Sequence, residues 1–161
     1  MVEPIGELTL RRFNGEEKFR LASAEMLAYH DDDGRVWLWF EVAAATPALA
    51  TCPDTAELGA TPCAELAVVL DRLDAHQLVG KRFELAAGYD DAREKQLANL
   101  FYCESEDLDD NVLEIVARDG ALFTVHWVGT TQDVNYYDGS KQRTRVEIAA
   151  TFTFAKIADW T

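Results

Sequence analysis

Carboxylates crowd three stretches of this sequence: Asp31-Asp32-Asp33, Asp90-Asp91, and the run Glu104, Glu106, Asp107, Asp109, Asp110. Calcium takes about six to eight oxygen ligands, so loops that gather such side chains have the chemistry to hold it. The EF-hand register is absent, because Gly34 follows Asp33 directly and no Glu stands at the closing position. Solvated acidic turns are the alternative, and Ca²⁺ is the one cofactor these clusters could serve. A cationic stripe, Lys141, Arg143 and Arg145, alternates onto the outward side of the last strand and could receive a carboxylate or phosphate. Such residues also pair with nearby acids or discourage edge-to-edge association. Beside the stripe, Tyr136, Tyr137, Asp133, Asn135 and Asp138 could form a polar pocket.

Nucleophilic and metal chemistry find little. G-x-S-x-G, H-E-x-x-H, C-x-x-C, the P-loop pattern and the dinucleotide-binding G-x-G-x-x-G are all missing. His30, His76 and His126 lie far apart, and Ser23, Ser105 and Ser140 have no signature around them. Cys103 and His126 fall in strands that could be neighbours, so a Cys/His pair could form there, although a core thiol and a hydrogen-bonded ring is the reading the sequence favours. Cys52 and Cys63 flank a Pro-containing loop and could clip it, although three cysteines in a chain of this length suit a reducing cytoplasm.

Trp37 and Trp39 stand out because they alternate with Val36, Leu38 and Phe40 and so point to the other side of one strand. Across a tight turn at Asp33-Gly34 they should meet Met26, Ala28 and His30, while Leu27 and Tyr29 join the buried set. A face carrying Trp37, Trp39, His30 and Met26 is more apolar than solvent requires. It predicts a cover from the same chain or an interaction surface.

The elements that must position these residues are strands. Period-two alternation is clearest from Thr144 to Phe154, where Thr144, Val146, Ile148, Ala150, Phe152 and Phe154 share a face. Asp119-Gly120 predicts a hairpin joining 112–118 to 121–128, with Leu113, Ile115, Ala117, Leu122, Thr124 and Val128 on one side. Val116, Phe123, Val125 and Trp127 fall on the other, so this ribbon should need cover on both sides. Further strands are expected over 7–13, 18–29, 81–87 and 99–104. Residues 61–80 fit either a strand at 64–71 or a helix from Thr61-Pro62 to Gly80, and 90–100 reads as a short helix. Residues 43–61, rich in Ala, Thr and Pro, read as a long surface loop.

The expected architecture over 1–161 is therefore one antiparallel β-sandwich domain of about eight strands, or a partly closed β-barrel, with one or two short helices. The 161 residues carry 29 acidic and 15 basic side chains, a net of −14. That field disfavours nucleic acid and anionic membrane surfaces and favours a basic partner. Met1 to Leu10 lacks a basic-then-apolar leader, and no apolar run reaches membrane-spanning length. These readings point to a cytoplasmic, non-catalytic module that binds a protein partner or itself. Two alternatives stand beside it: a small-ligand or enzymatic barrel with Tyr29, His126 and Trp127 in its cavity, and an acidic antagonist of a basic nucleic-acid-binding protein.

Overall fold

The computed structural model describes residues 5–136 and 138–156. They form twelve strands: β1 (Gly6–Arg12), β2 (Gly15–His30), β3 (Val36–Ala44), β4 (Cys63–Leu70), β5 (Arg82–Leu85), β6 (Tyr89–Asp90), β7 (Lys95–Gln96), β8 (Ala98–Tyr102), β9 (Glu104–Asp107), β10 (Asp109–Asp119), β11 (Leu122–Thr131) and β12 (Thr144–Lys156). Ten of them make one sheet in the order β5-β10-β11-β12-β1-β2-β3-β4-β8-β9, and β6 and β7 make a separate ribbon. The all-β, antiparallel expectation holds, but about eight strands in a sandwich become ten in a sheet that curls on itself. Phe19 of β2 and Tyr102 of β8, three strands apart in that order, meet edge-to-face at 6.1 Å. The curl stops short of a barrel. Its edge strands β5 and β9 do not pair, and single bonds from Leu97 and Ala98 to the Gly88 carbonyl tie the two ends.

One contact in the sheet is parallel: residues 153–156 of β12 lie beside 25–28 of β2. It exists because β1 is short. Where β1 begins at Gly6, its neighbours on either side close together, and a Cβ there would stand 2.2 Å from the Ala149 carbonyl oxygen.

The turns decide which side chains are inside. At Asp33-Gly34 the loop holds three residues, not two, closed by the Asp31 N–H to the Arg35 carbonyl at 3.0 Å with Gly34 at φ 78°. His30 therefore pairs with Val36, and the one-residue difference reverses every side chain of β2 relative to the expected register. Met26 and Ala28 lie in the core with Leu38 and Phe40, whereas Leu27 and Tyr29 share the outer face with Trp37 and Trp39. The expected grouping of Met26 and His30 with the tryptophans is thus corrected.

A bulge between Ile115 and Ala117 does the same in the second hairpin. Leu113 and Ile115 join Phe123, Val125 and Trp127 in the core, while Leu122 and Val116 are exposed. The ribbon has one dry face rather than two apolar ones. In β12 the predicted face is the buried one, from Thr144 to Phe152.

Residues 63–70 form a strand, as one of the two readings had it. The expected helix over 90–100 is instead the end of β6, a turn, β7 and the start of β8: Asp90 Oδ1 accepts from the Ala92 and Arg93 N–H groups, and Glu94 at φ 51° turns the chain back. A single 3-10 turn at Ala75–Gln77 is the helical content of the described residues, and none of their helices is long and apolar enough to cross a membrane. The 43–61 segment is no free loop. It runs back along β2, with Ala45 and Leu49 N–H groups donating to Arg20 and Lys18 carbonyls at 2.7 Å.

Candidate functional site

On the outer face of the sheet, three glutamates fall in one cross-strand row. Glu25 of β2 lies opposite Glu41 of β3, and Glu41 lies opposite Glu65 of β4. The row continues through Asn99 of β8 to Asp107 of β9. Adjacent strands lie about 4.8 Å apart, and like charges directly opposite each other are destabilising. Among the described residues no lysine or arginine pairs with Glu25, Glu41 or Glu65. Burial, and then the charge of Glu41, push the Glu65 carboxyl up. The neighbouring Cys63 thiol is pushed up by burial, Glu65 and Glu41.

The next row on this face holds Leu27, Trp39 and Ala67, and the one after it Tyr29, Trp37 and Val69. The two tryptophans have different surroundings. Trp37 is buried, stacked on Tyr29 at 6.4 Å, and donates its Nε1–H to Asp31 at 2.8 Å. That hydrogen bond, first among several causes, holds the Asp31 carboxyl below its usual value. The ribbon of β6 and β7 lays Lys95 over the Trp37 ring at 4.2 Å and brings Arg93 to 5.9 Å. Trp39 is half-buried against the cluster of Tyr29, Trp37, Ala67 and Leu97, and among the described residues its Nε1 lacks an acceptor and no cation lies over its ring.

A second set of carboxylates lies inside. Arg12 of β1 is fully buried and donates from all three of its nitrogens: Nε and Nη2 to Asp133 at 2.7 and 2.8 Å, Nη1 and Nη2 to Asp54 at 2.7 Å each, and Nη1 to Glu17 at 3.2 Å. Five N–H groups meet five carboxylate oxygens, and every donor is used. Thr55 and Tyr102 donate to Glu17 at 2.7 and 3.0 Å, and Thr144 donates to Asp133 at 2.9 Å. Burial alone would lower the Arg12 pKa, but the bonds to Asp133 and Asp54 more than reverse this. The same bond holds the Asp54 carboxyl well below the usual range, helped by Asn135 and Asn14. Burial and the Glu17 charge push the Tyr102 phenol up. With its donors spent, Arg12 has none left for a ligand, and the cluster's effect is to pin the 45–62 segment to the sheet.

The other predicted residues are dispersed. Lys141 sits 5.2 Å from the rings of both Phe13 and Tyr136, Arg143 bonds Asp109 at 2.8 Å, and Arg145 bonds Glu147 at 2.8 Å. Lys141 and Arg143 precede β12, so they do not share a strand face with Arg145. Tyr137 lies outside the described residues. His30 lines a cleft of about 200 Å³ with Tyr29, Val36 and Arg72. His126 and Trp127, adjacent in β11, point to opposite faces and line no common interior. Cys103 and His126 belong to regions that are not neighbours in the sheet, and Cys52, Cys63 and Cys103 are free thiols. In the acidic clusters Asp90 bonds Arg93, Asp107 accepts from Gln96, and Asp110 from Thr130. No group of three or more His, Cys, Asp or Glu among the described residues is arranged to hold a metal ion.

Sequence reasoning missed both carboxylate sets. The inner one had a signal: Arg12 continues the phase of Leu8 and Leu10, and Glu17 that of Phe19 and Leu21, so both charges occupy core-facing positions. The outer row depended on the β2 register and had none that the two-residue turn would reveal. No protein-family model, curated protein or solved structure matches this chain.

Proposed function

We propose that this chain is a protein-binding module whose outer sheet face, around Glu25, Glu41, Glu65 and Trp39, takes a basic segment of another protein. The observation that carries the reading is the register: three carboxylates stand side by side on adjacent strands with no cation of the described chain between them. A row of like charges costs stability, and a partner's cations offset that cost on binding. Continuity along the face supports it. At the neighbouring row the chain covers its own aromatic with Lys95 and Arg93, so the covered part shows the chemistry that the open part would take. The net charge of −14 would steer such a partner from a distance.

The test is calorimetric titration with a short arginine- and lysine-rich peptide at low and high salt. Binding that weakens steeply with salt, and weakens further in Glu25→Gln/Glu41→Gln, is the expected result. Salt-insensitive binding, or none at low salt, removes the reading. If the partner's basic segment ordinarily contacts nucleic acid, the module acts as its antagonist, and a DNA-competition assay reads that directly.

One observation favours a small ligand as a second reading. A cleft of about 450 Å³ opens between Leu70–Asp74 and Lys81–Phe83, with Arg72 and Lys81 on its wall and no acid bonded to either among the described residues. Its volume suits a small molecule. An Arg72→Ala/Lys81→Ala variant that keeps every ligand-induced thermal shift of the native chain dismisses it.

A further inference from the structure

We infer that the seam left open between β4 and β5 takes the C-terminal residues of a partner protein, added as a strand along β5 with the last carboxylate beside Arg72 and Lys81. The inference rests on the reading of that cleft as a ligand site and is independent of the outer glutamate row.

The registers fix which backbone groups face the seam. The Ile115 N–H donates to the Lys81 carbonyl at 3.0 Å, and Phe83 and Leu85 continue that phase opposite Leu113 and Asn111. Phe83 and Leu85 therefore turn their amides and carbonyls to β10, while Arg82 and Glu84 turn theirs outward. On the other bank the Ala67 N–H bonds the Leu97 carbonyl at 2.8 Å, so Val69 faces the same way, yet β8 pairs with β4 no farther than Leu66. A groove of about 330 Å³ runs between 67–69 and 82–85, and no strand of the sheet fills it. The Arg82 side chain reaches the other way, to Glu114 of β10 at 2.9 Å. The opposite end of the sheet is guarded: β9 carries Glu104, Glu106 and Asp107, and its Asp107 carbonyl already accepts from Thr131 Oγ1 at 2.9 Å.

The groove leads into the larger cleft, since Phe83 lines both and Leu70 follows Val69. There the floor is apolar, made by buried Leu78 with half-buried Leu70 and Phe83. Arg72 and Lys81 stand on the wall, neither bonded to an acid among the described residues. Asp71 and Asp74 line it too, and Asp74 Oδ1 is engaged by the His76 N–H at 3.0 Å. A C-terminal residue is the one kind that brings an apolar side chain and a carboxylate to a single point, which is what this floor and these cations take together. Because β5 starts at Arg82, beside the cleft, a segment ending there runs antiparallel to β5 and meets the outward groups of Arg82 and Glu84.

The probe is a pool of N-acetylated hexapeptides, random at five positions and ending in leucine with a free carboxylate, selected on the immobilised native chain. The most enriched peptide should bind the native chain about tenfold more tightly than its C-terminal amide does. Arg72→Ala/Lys81→Ala replaces two exposed side chains and should bring that ratio to about one. N-methylation of alternate peptide nitrogens should weaken binding about tenfold in one phase and less than about twofold in the other, as pairing to a single edge requires. Equal binding of acid and amide, an acid preference that survives in the double variant, or indifference to N-methylation in both phases overturns the inference. So does a pool from which nothing is retained. The cleft reading beneath it falls separately, only if the double variant also keeps every ligand-induced thermal shift.

Discussion

Glu17, Asp54 and Asp133 meet around Arg12 inside the protein, and Glu25, Glu41 and Glu65 line up on its outer face. Each set has three carboxylates, and a single guanidinium separates the two cases. With it, two fully buried acids and a partly exposed one are tolerated, and a distant segment is held down by them. Without it, burial and then the charge of Glu41 push the half-buried Glu65 carboxyl up. The comparison shows that this fold holds crowded acids when an arginine is supplied, and that on the outer face the described chain supplies none.

Removing the guanidinium should erase the difference. Arg12→Met leaves Glu17 and Asp133 buried without their cation, and we expect a loss of about 3–5 kcal/mol in urea unfolding. Acid should act in opposite directions on the two sets. The folded-state pKa of Asp54 is depressed, so its contribution is present above the ordinary aspartate value and is lost as pH falls through the lower folded value. For Glu65 the folded pKa is raised, so its ionised form opposes folding at neutral pH and that opposition disappears below the ordinary glutamate value.

The tryptophans sharpen the same contrast. Trp37→Phe loses the bond to Asp31 and should lower Tm by a few degrees, whereas Trp39→Phe deletes a buried donor with no acceptor among the described residues and should leave Tm unchanged or higher. The smallest effect belongs to Glu65→Gln: a gain of about 0.5 kcal/mol or less at neutral pH, vanishing in acid. A loss in that variant would mean that the row is already neutralised.

Alternation along the chain was sufficient to find most strands, because one buried face imposes period two whatever the neighbours are. It was insufficient wherever one residue of loop or bulge sets the phase. Gly34 could close a two-residue or a three-residue turn, and that choice alone carried Met26 into the core and brought Glu25 beside Glu41. The bulge after Ile115 left no mark in residue type. Arg12 and Glu17 were legible by phase, but Asp54 and Asp133, their partners, come from loops whose return path no local pattern specifies. Leu97 and Leu100 imitated helical spacing because both are buried, but on different sides of the sheet: Leu97 packs with Trp37 and Ala67 on the outer face and Leu100 lies in the main core.

The pairing of β1 between β12 and β2 has a consequence for how the protein is made. Synthesis delivers β1 and β2 early, yet the strand that completes β1's other side and then touches β2 emerges only near residue 150. Until then the hairpin shows a bare row of amides and carbonyls, and contacts so remote in sequence form slowly. Shortening the chain within 144–156 should therefore cost more than a strand: it leaves the opening hairpin unguarded and prone to pair with another molecule.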